Sequence, residues 1–286
     1  MPSVCWPWEL LCSDSSFRIF FTTVFPGPPN PEDASAAAHP RLQEIPSTEE
    51  ELQAGWIFAV DKPLEWTSFD VVNKLKYALR RAYGLKSVKI GHAGTLDPLA
   101  TGVLVVCVGK ATKRIESEMA GSKGYRARLK LGFTTPSYDA ETPEEAFSGA
   151  VFPSSTAALE AVLPNFRGTI HQRPPLYSAL KIGGQTLYKL ARKGQEVEIP
   201  TRPVVVESLE IDSFDSALGS VELSIVCGKG TYIRSLAHDL GHDWGCGAYL
   251  AALRRTHVGP WMESDAWSLP NLLDVLSQRE AARTAE

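Results

Sequence analysis

Gly91-His92-Ala93-Gly94-Thr95-Leu96-Asp97-Pro98-Leu99-Ala100-Thr101-Gly102 runs without interruption into Val103-Leu104-Val105-Val106-Cys107-Val108. The second half is a continuous apolar run of strand length, which predicts a strand covered on both faces. The first half is a glycine-rich loop that delivers the chain into that strand. Its three glycines permit tight turns and a close approach of a ligand to the backbone. Asp97 precedes a proline, which holds it in extended or turn geometry. A loop that only had to turn would not need His92, Asp97, Thr95 and Thr101 together, so the segment is a candidate for chemistry.

Outward from this segment, strands and helices alternate irregularly. Trp56-Ile57-Phe58-Ala59-Val60 predicts a short buried strand and Asp61 to Trp66 a loop. Thr67-Ser68-Phe69-Asp70 has an N-capping pattern, followed at helical spacing by Val71, Val72, Leu75, Leu79 and Ala82. Residues 125–131 alternate strictly, with Tyr125, Ala127, Leu129 and Leu131 on one face and Arg126, Arg128 and Lys130 on the other. Further on, a helix is predicted near 155–163, strands over 204–211 and 221–227, and a helix over 231–244. The steady βαβ rhythm of a doubly wound sheet is missing, so the fold class is α+β, with a mixed, largely antiparallel sheet core and flanking helices.

The 286 residues are 44% hydrophobic and 22% charged, which excludes wholesale disorder and collagen-like or coiled-coil composition. No apolar run approaches the roughly 18 residues a membrane span needs. Five widely spaced cysteines without a C-x-x-C pair indicate neither a disulfide framework nor a cysteine-rich zinc module, and a reducing cytoplasm is expected. The net charge of −4 hides a segregation. Residues 1–60 hold two Lys/Arg against eight Asp/Glu, residues 61–130 fourteen against six, and residues 131–286 thirteen against nineteen. A basic middle third suits a polyanionic partner, or is a solvated lysine-rich face. Residues 26–54 are rich in Pro, Ala and acid with few large apolar side chains. Residues 1–54 are therefore expected to be a disordered or non-native extension, with the folded domain over 55–286. No basic n-region opens the chain, so a secretory signal is not expected.

Other segments test familiar chemistries. Cys227-Gly228-Lys229-Gly230-Thr231-Tyr232-Ile233-Arg234 lacks the G-x-x-x-x-G-K-[ST] spacing of a phosphate loop. Arg234 in a first helical turn opposes the helix dipole, so either an anionic partner is expected beside it or it is an ordinary surface arginine. His238 and His242 stand at i and i+4, but the glutamate of a zinc-protease helix is replaced by Asp239 and a third ligand is lacking, so no metal is expected. No G-x-S-x-G elbow is present.

The loop 91–102 resembles the aspartate motif of the TruB-type bacterial tRNA pseudouridine-55 synthases. Four further segments agree in order and spacing: Asp61-Lys62-Pro63 with Thr67-Ser68; Lys123-Gly124-Tyr125 with Leu131-Gly132; Pro174 to Lys181 with Tyr188 to Gly194; and Lys229 to Arg234 with Leu253-Arg254-Arg255. The resemblance covers about residues 62–255. It implies a pseudouridine synthase sheet core with an RNA-gripping insertion near 173–200, and isomerisation of uridine 55 in the T-arm of tRNA without a cofactor. By matching positions, Asp97 is the catalytic carboxylate, Tyr125 stacks on the target base and Arg234 pairs with Asp97. His92 holds displaced loop nucleotides, Tyr232 contacts the target base and Lys62 supports the floor of the site.

Two departures stand out. Glu65 occupies a turn position that is usually glycine in the family, and only about thirty residues follow Arg255, too few for a complete C-terminal PUA module. The catalytic domain is thus expected to act alone, as a monomer, without guide RNA. Lys86 and Lys89, just before the loop, are placed to reach the T-arm backbone. Turning the uridine out of its stack costs a few kcal/mol, and aromatic stacking returns about 1–3 kcal/mol per base. Two other readings share these features: a tRNA-binding folding factor, which would not need Asp97, and a guide-RNA-dependent synthase.

Overall fold

The computed structural model describes residues 44–178, 180–182, 185–187 and 198–285. In chain order the elements are α1 (Glu49–Ala54), β1 (Trp56–Lys62), α2 (Ser68–Ala82), β2 (Ile90–His92), β3 (Ala100–Val108), α3 (Ile115–Ala120), β4 (Lys123–Leu131), β5 (Phe133–Thr134), β6 (Glu145–Ala146), α4 (Thr156–Glu160), β7 (Gly168–Gln172), β8 (Lys181–Ile182), β9 (Gln185–Thr186), β10 (Arg202–Asp215), β11 (Ser220–Cys227), α5 (Ile233–Asp243), β12 (Ala248–Val258), β13 (Trp261–Met262), β14 (Trp267–Ser268) and α6 (Leu269–Ala285). Ten strands form one sheet in the order β14-β1-β3-β12-β4-β11-β10-β7, with β2 beside β3 and β13 beside β12. Only the β1/β14 and β3/β12 pairs of this sheet are parallel. The expected α+β class with a mixed, largely antiparallel sheet is what the chain adopts.

The apolar run in β3 is covered on both faces, as its composition requires. Leu104, Val106 and Val108 pack with Leu52 of α1, Val71, Leu75 and Leu79 of α2, and Leu272 and Leu276 of α6. Val103 and Val105 turn the other way, onto Ala59, Ala93, Val258 and Trp261. Entry into α2 is fixed by a reciprocal cap: the Asp70 N–H donates to Thr67 Oγ1 (3.0 Å), and the Thr67 N–H donates to the Asp70 carboxylate (2.9 Å).

Strand β4 divides its alternating residues as predicted. Tyr125, Ala127, Leu129 and Leu131 join a second core with Ile233, Leu236 and Leu240 of α5. On the opposite face Arg126, Arg128 and Lys130 pair with Glu263, Glu222 and Glu144 at 2.9, 2.5 and 2.8 Å. That row of cations is matched within the protein by carboxylates.

The expected boundary at residue 55 is corrected. Helix α1 lies inside the stretch expected to be disordered, and its Leu52 is fully buried. The Tyr83 hydroxyl donates to Pro46 O (2.5 Å), and the Arg279 guanidinium donates to Ser47 O. One apolar side chain among acids is too weak a compositional signal, yet it fills a core position. The remainder of that stretch, residues 1–43, lies outside the described residues. The helix expected near 155–163 is shorter, ending in α4 before a 3-10 turn at Leu163–Phe166. Of the insertion expected near 173–200, residues 179, 183–184 and 188–197 lie outside the described residues; Leu176, Leu180, Leu187 and Ile199 form a small apolar cluster of their own.

Candidate active site

The loop 91–102 is held by three anchors from different parts of the chain. Ser68 in the first turn of α2 bonds both backbone groups of Leu96, accepting from its N–H (2.8 Å) and donating to its carbonyl (3.1 Å). The Lys62 ammonium, fully buried, donates to the carbonyls of Pro63 (2.8 Å), Trp66 (2.5 Å) and Pro98 (3.2 Å). Burial lowers its pKa to about 8, against the pull of Asp97. Arg255, also buried, donates to the carbonyls of Val103 (2.7 Å), Gly94 (3.1 Å) and Thr95 (3.4 Å). The loop ends at Gly102, where φ is 99° and a Cβ would lie 2.2 Å from Arg255 O. Only glycine allows β3 to approach β12 so closely.

These anchors present Asp97 to Arg234. The Arg234 guanidinium, on the first turn of α5 and 5% exposed, places Nε 3.0 Å from the Asp97 carboxylate and 3.5 Å from that of Asp139. Its Nη1 donates to Ser137 O (3.2 Å). The anion expected beside Arg234 is thus two carboxylates sharing one cation. Burial pushes the Asp97 pKa above its ordinary value, Arg234 opposes this, and the nearby Asp139 adds to the rise. The Asp97 side chain keeps 44% of its surface exposed, while Asp139 is buried. Asp97, Asp139, Arg234, Leu99, Ala100 and Leu253 line a cleft. A carboxylate so placed can act as nucleophile or base on a group entering the cleft.

The remaining candidates fall around this pair. Tyr125 lies in the core of β4 with the Arg255 guanidinium facing its hydroxyl, and burial raises its pKa, so the phenol stays protonated. His92 ends β2 with Nδ1 buried, and burial lowers its pKa. Tyr232 is the N-cap residue of α5. Its N–H donates to Gln172 Oε1 (2.8 Å), Gln172 Nε2 donates to its carbonyl (3.0 Å), and the Arg202 guanidinium lies over its ring. Lys86 and Lys89 are exposed ahead of β2. Both α5 histidines are engaged with aromatic rings: His238 stacks on Tyr138 and His242 meets Phe147 edge-on. Among the described residues no group of three or more His, Cys, Asp or Glu could hold a metal ion.

Three participants escape the sequence patterns. Asp139 and Ser137 lie in a bend with no motif of its own, and Arg255 is recognisable only as half of an arginine pair. Glu65, at the family's glycine position, adopts φ 66°, the left-handed conformation glycine would take, and its N–H donates to Pro98 O (2.9 Å).

Residues 80–233 match the family model described as TruB family pseudouridylate synthase (N terminal domain), and residues 234–285 match tRNA pseudouridylate synthase B C-terminal domain. A protein of Parabacteroides distasonis named tRNA pseudouridine synthase B is 50% identical over 209 residues, which cover 72% of this chain and 86% of that protein. One of the same name from Francisella tularensis subsp. novicida is 42% identical, over 81% of this chain and 74% of that protein. Among solved structures, a chain of a Cbf5-Nop10-Gar1 complex superposes with a TM-score of 0.59 at 32% identity over 79% of this chain; this chain spans 55% of it. An archaeal box H/ACA sRNP Nop10-Cbf5 complex gives 0.57 at 30% identity, over 80% of this chain and 55% of that one.

With relatives named tRNA pseudouridine synthase B 42–50% identical over most of the chain, and with this mixed sheet, the protein is a pseudouridine synthase, an isomerase. The chain belongs to the TruB family.

Proposed function

We propose that the protein isomerises uridine 55 in the T-arm of tRNA to pseudouridine, with Asp97 as the catalytic carboxylate and the target base turned out of its stack. The observation that carries this reading is the Asp97–Arg234 pair at 3.0 Å on the motif loop, with Asp97 still open to the cleft. Its curated relatives named tRNA pseudouridine synthase B support tRNA as the substrate. Moving the base from its N-glycosidic bond to carbon 5 requires a group that attacks or deprotonates while ionised, and Arg234 favours the ionised form of Asp97. Tyr125 and His92 supply aromatic surface for the target base and displaced nucleotides, Tyr232 contacts the base, and Lys62 holds the floor through Pro98 O. Lys86 and Lys89 take the RNA backbone. The domain acts as a monomer in the cytoplasm, without cofactor, guide RNA or membrane, and the segment near 173–200 grips the RNA.

The likeness to a chain of an archaeal box H/ACA sRNP, a particle of RNA and protein, favours an alternative in which the chain depends on a guide RNA. One assay separates the two: release of the carbon-5 hydrogen from an unmodified T-arm stem-loop by the isolated chain. Turnover is expected without an added guide RNA or protein partner. Asp97→Asn is expected to abolish it while keeping tRNA affinity within about tenfold, roughly 1.4 kcal/mol. Substantial turnover by that variant would remove Asp97 from its role.

A further inference from the structure

We infer that the stacked rings of Tyr138 and His238 form a clamp that positions the carboxylates around Arg234, a role that rests on Asp97 being the reacting carboxylate. The rings lie 3.9 Å apart between centroids and 15° from parallel. His238 stands one helical turn after Arg234 on α5, so the two side chains share a face of that helix. Tyr138 sits between the two residues of the bend that reach Arg234, Ser137 through its carbonyl and Asp139 through its carboxylate. Fixing the Tyr138 ring on α5 therefore fixes both contacts.

The backbone supplies an independent observation. Tyr138 has φ 64°, and with Glu65 it is one of two non-glycine positive-φ residues among those described. Such a conformation persists only where the surroundings over-determine it. The bend is tied on one side by Leu250 of β12, whose N–H donates to Tyr138 O (3.0 Å), and on the other by the stack. His238 contributes its ring face, since its buried Nδ1 has no hydrogen-bond partner among the described residues. Burial and the neighbouring His242 lower the His238 pKa, which keeps the imidazole neutral, and Asp239 and Arg173 are the other charged groups beside the stack. Released from the clamp, residues 137–139 can relax out of the strained conformation and draw Asp139 away from Arg234. Arg234 would then close on Asp97 alone, and Asp97 would lose the neighbour that raises its pKa.

The test compares His238→Ala, His238→Phe and Tyr138→Gly in the full chain, by single-turnover isomerisation at saturating RNA across pH. His238→Ala and Tyr138→Gly should lower the rate about 10- to 100-fold, the scale of a misplaced reacting group, with RNA affinity within about threefold. Both should shift the acidic limb of the rate profile to lower pH. His238→Phe keeps a flat ring against Tyr138 and should restore most of the rate. Should His238→Ala fail to fold, Tyr138→Gly carries the test, because glycine adopts the same φ without strain. An unmoved acidic limb, or His238→Phe as slow as His238→Ala, would overturn the clamp. Asp97→Asn is assayed alongside. If that variant turns over, the assignment of Asp97 fails; if it is dead while His238→Ala and Tyr138→Gly run at the wild-type rate, the clamp alone fails.

Discussion

Glu65 places a side chain where the turn asks for none. A non-glycine residue in the left-handed region costs about 1–2 kcal/mol, and glycine returns part of that by widening the unfolded ensemble. Glu65 is exposed, so Glu65→Gly should stabilise the protein by roughly 0.5–1 kcal/mol, read as a higher urea midpoint at unchanged slope. Activity should be unaltered, because the hydrogen bond from residue 65 to Pro98 O comes from the backbone. Lys62 is the opposite case, a charge the fold holds at a cost. Its folded pKa of about 8 lies below the ordinary 10.5, so the ammonium loses its proton as pH rises through about 8. Neutral Lys62 has two hydrogens for three carbonyls, and the turn bearing Pro98 loosens. The single-turnover rate should therefore fall on the alkaline side with an apparent pKa near 8. A rate flat to pH 10 would detach Lys62 from the loop's geometry.

Helix α1 is six residues long and could not persist alone. It exists because Leu52 completes the core between α2 and β3, so Leu52→Ala should cost about 2–5 kcal/mol. A chain beginning at Gly55 should melt well below one beginning at Glu44, by roughly 5 °C or more. Equal melting temperatures would restore the boundary read from composition. Elements announced by periodicity or by an unbroken apolar run, such as α2, β4 and β3, were legible in the sequence. Strand β12 was not, although it occupies the middle of the sheet. Register shifts at Leu250/Ala252 and Arg255/His257 break its alternation, and Arg254 and Arg255 put charge where a central strand is expected to be apolar. Those arginines are buried because they are paired: Arg254 with Asp61 and Glu263, Arg255 with loop carbonyls. An anion beside Arg234 could be anticipated from a cation in a first helical turn; that it is Asp97 was implied only by the resemblance of the loop 91–102 to the family. Asp139 could not, since its importance comes from a bend that only tertiary contacts define.

Across the whole molecule, charge segregation resolves into two kinds of cation. Arg126, Arg128 and Lys130 are matched by glutamates, whereas Lys86 and Lys89 are exposed with no ion pair found among the described residues. Lys86→Ala with Lys89→Ala should raise KM and shrink the salt slope of RNA binding by about 0.7–0.9 for each phosphate left unneutralised, with the saturated single-turnover rate nearly intact. An unchanged slope would route the RNA elsewhere. Arg126→Ala serves as the contrast, with a slope like that of the parent. The division of the two family models at residues 233 and 234 is not a seam in the architecture, because β12 from the second portion lies between β3 and β4 from the first.

That interleaving governs how the molecule can be made. Thr101 and Leu253, hydrogen-bonded neighbours in the finished sheet, are 152 positions apart. During synthesis the strands on either side of the gap emerge long before the strand that joins them, and contacts of such separation are slow to close. A growing chain halted ahead of residue 248 holds the aspartate loop by Ser68 and Lys62 but without its Arg255 anchor, and two unpaired strand edges open to wrong partners. Ribosome-bound chains of increasing length should stay protease-sensitive throughout until β12 is out, and then become resistant in a single step.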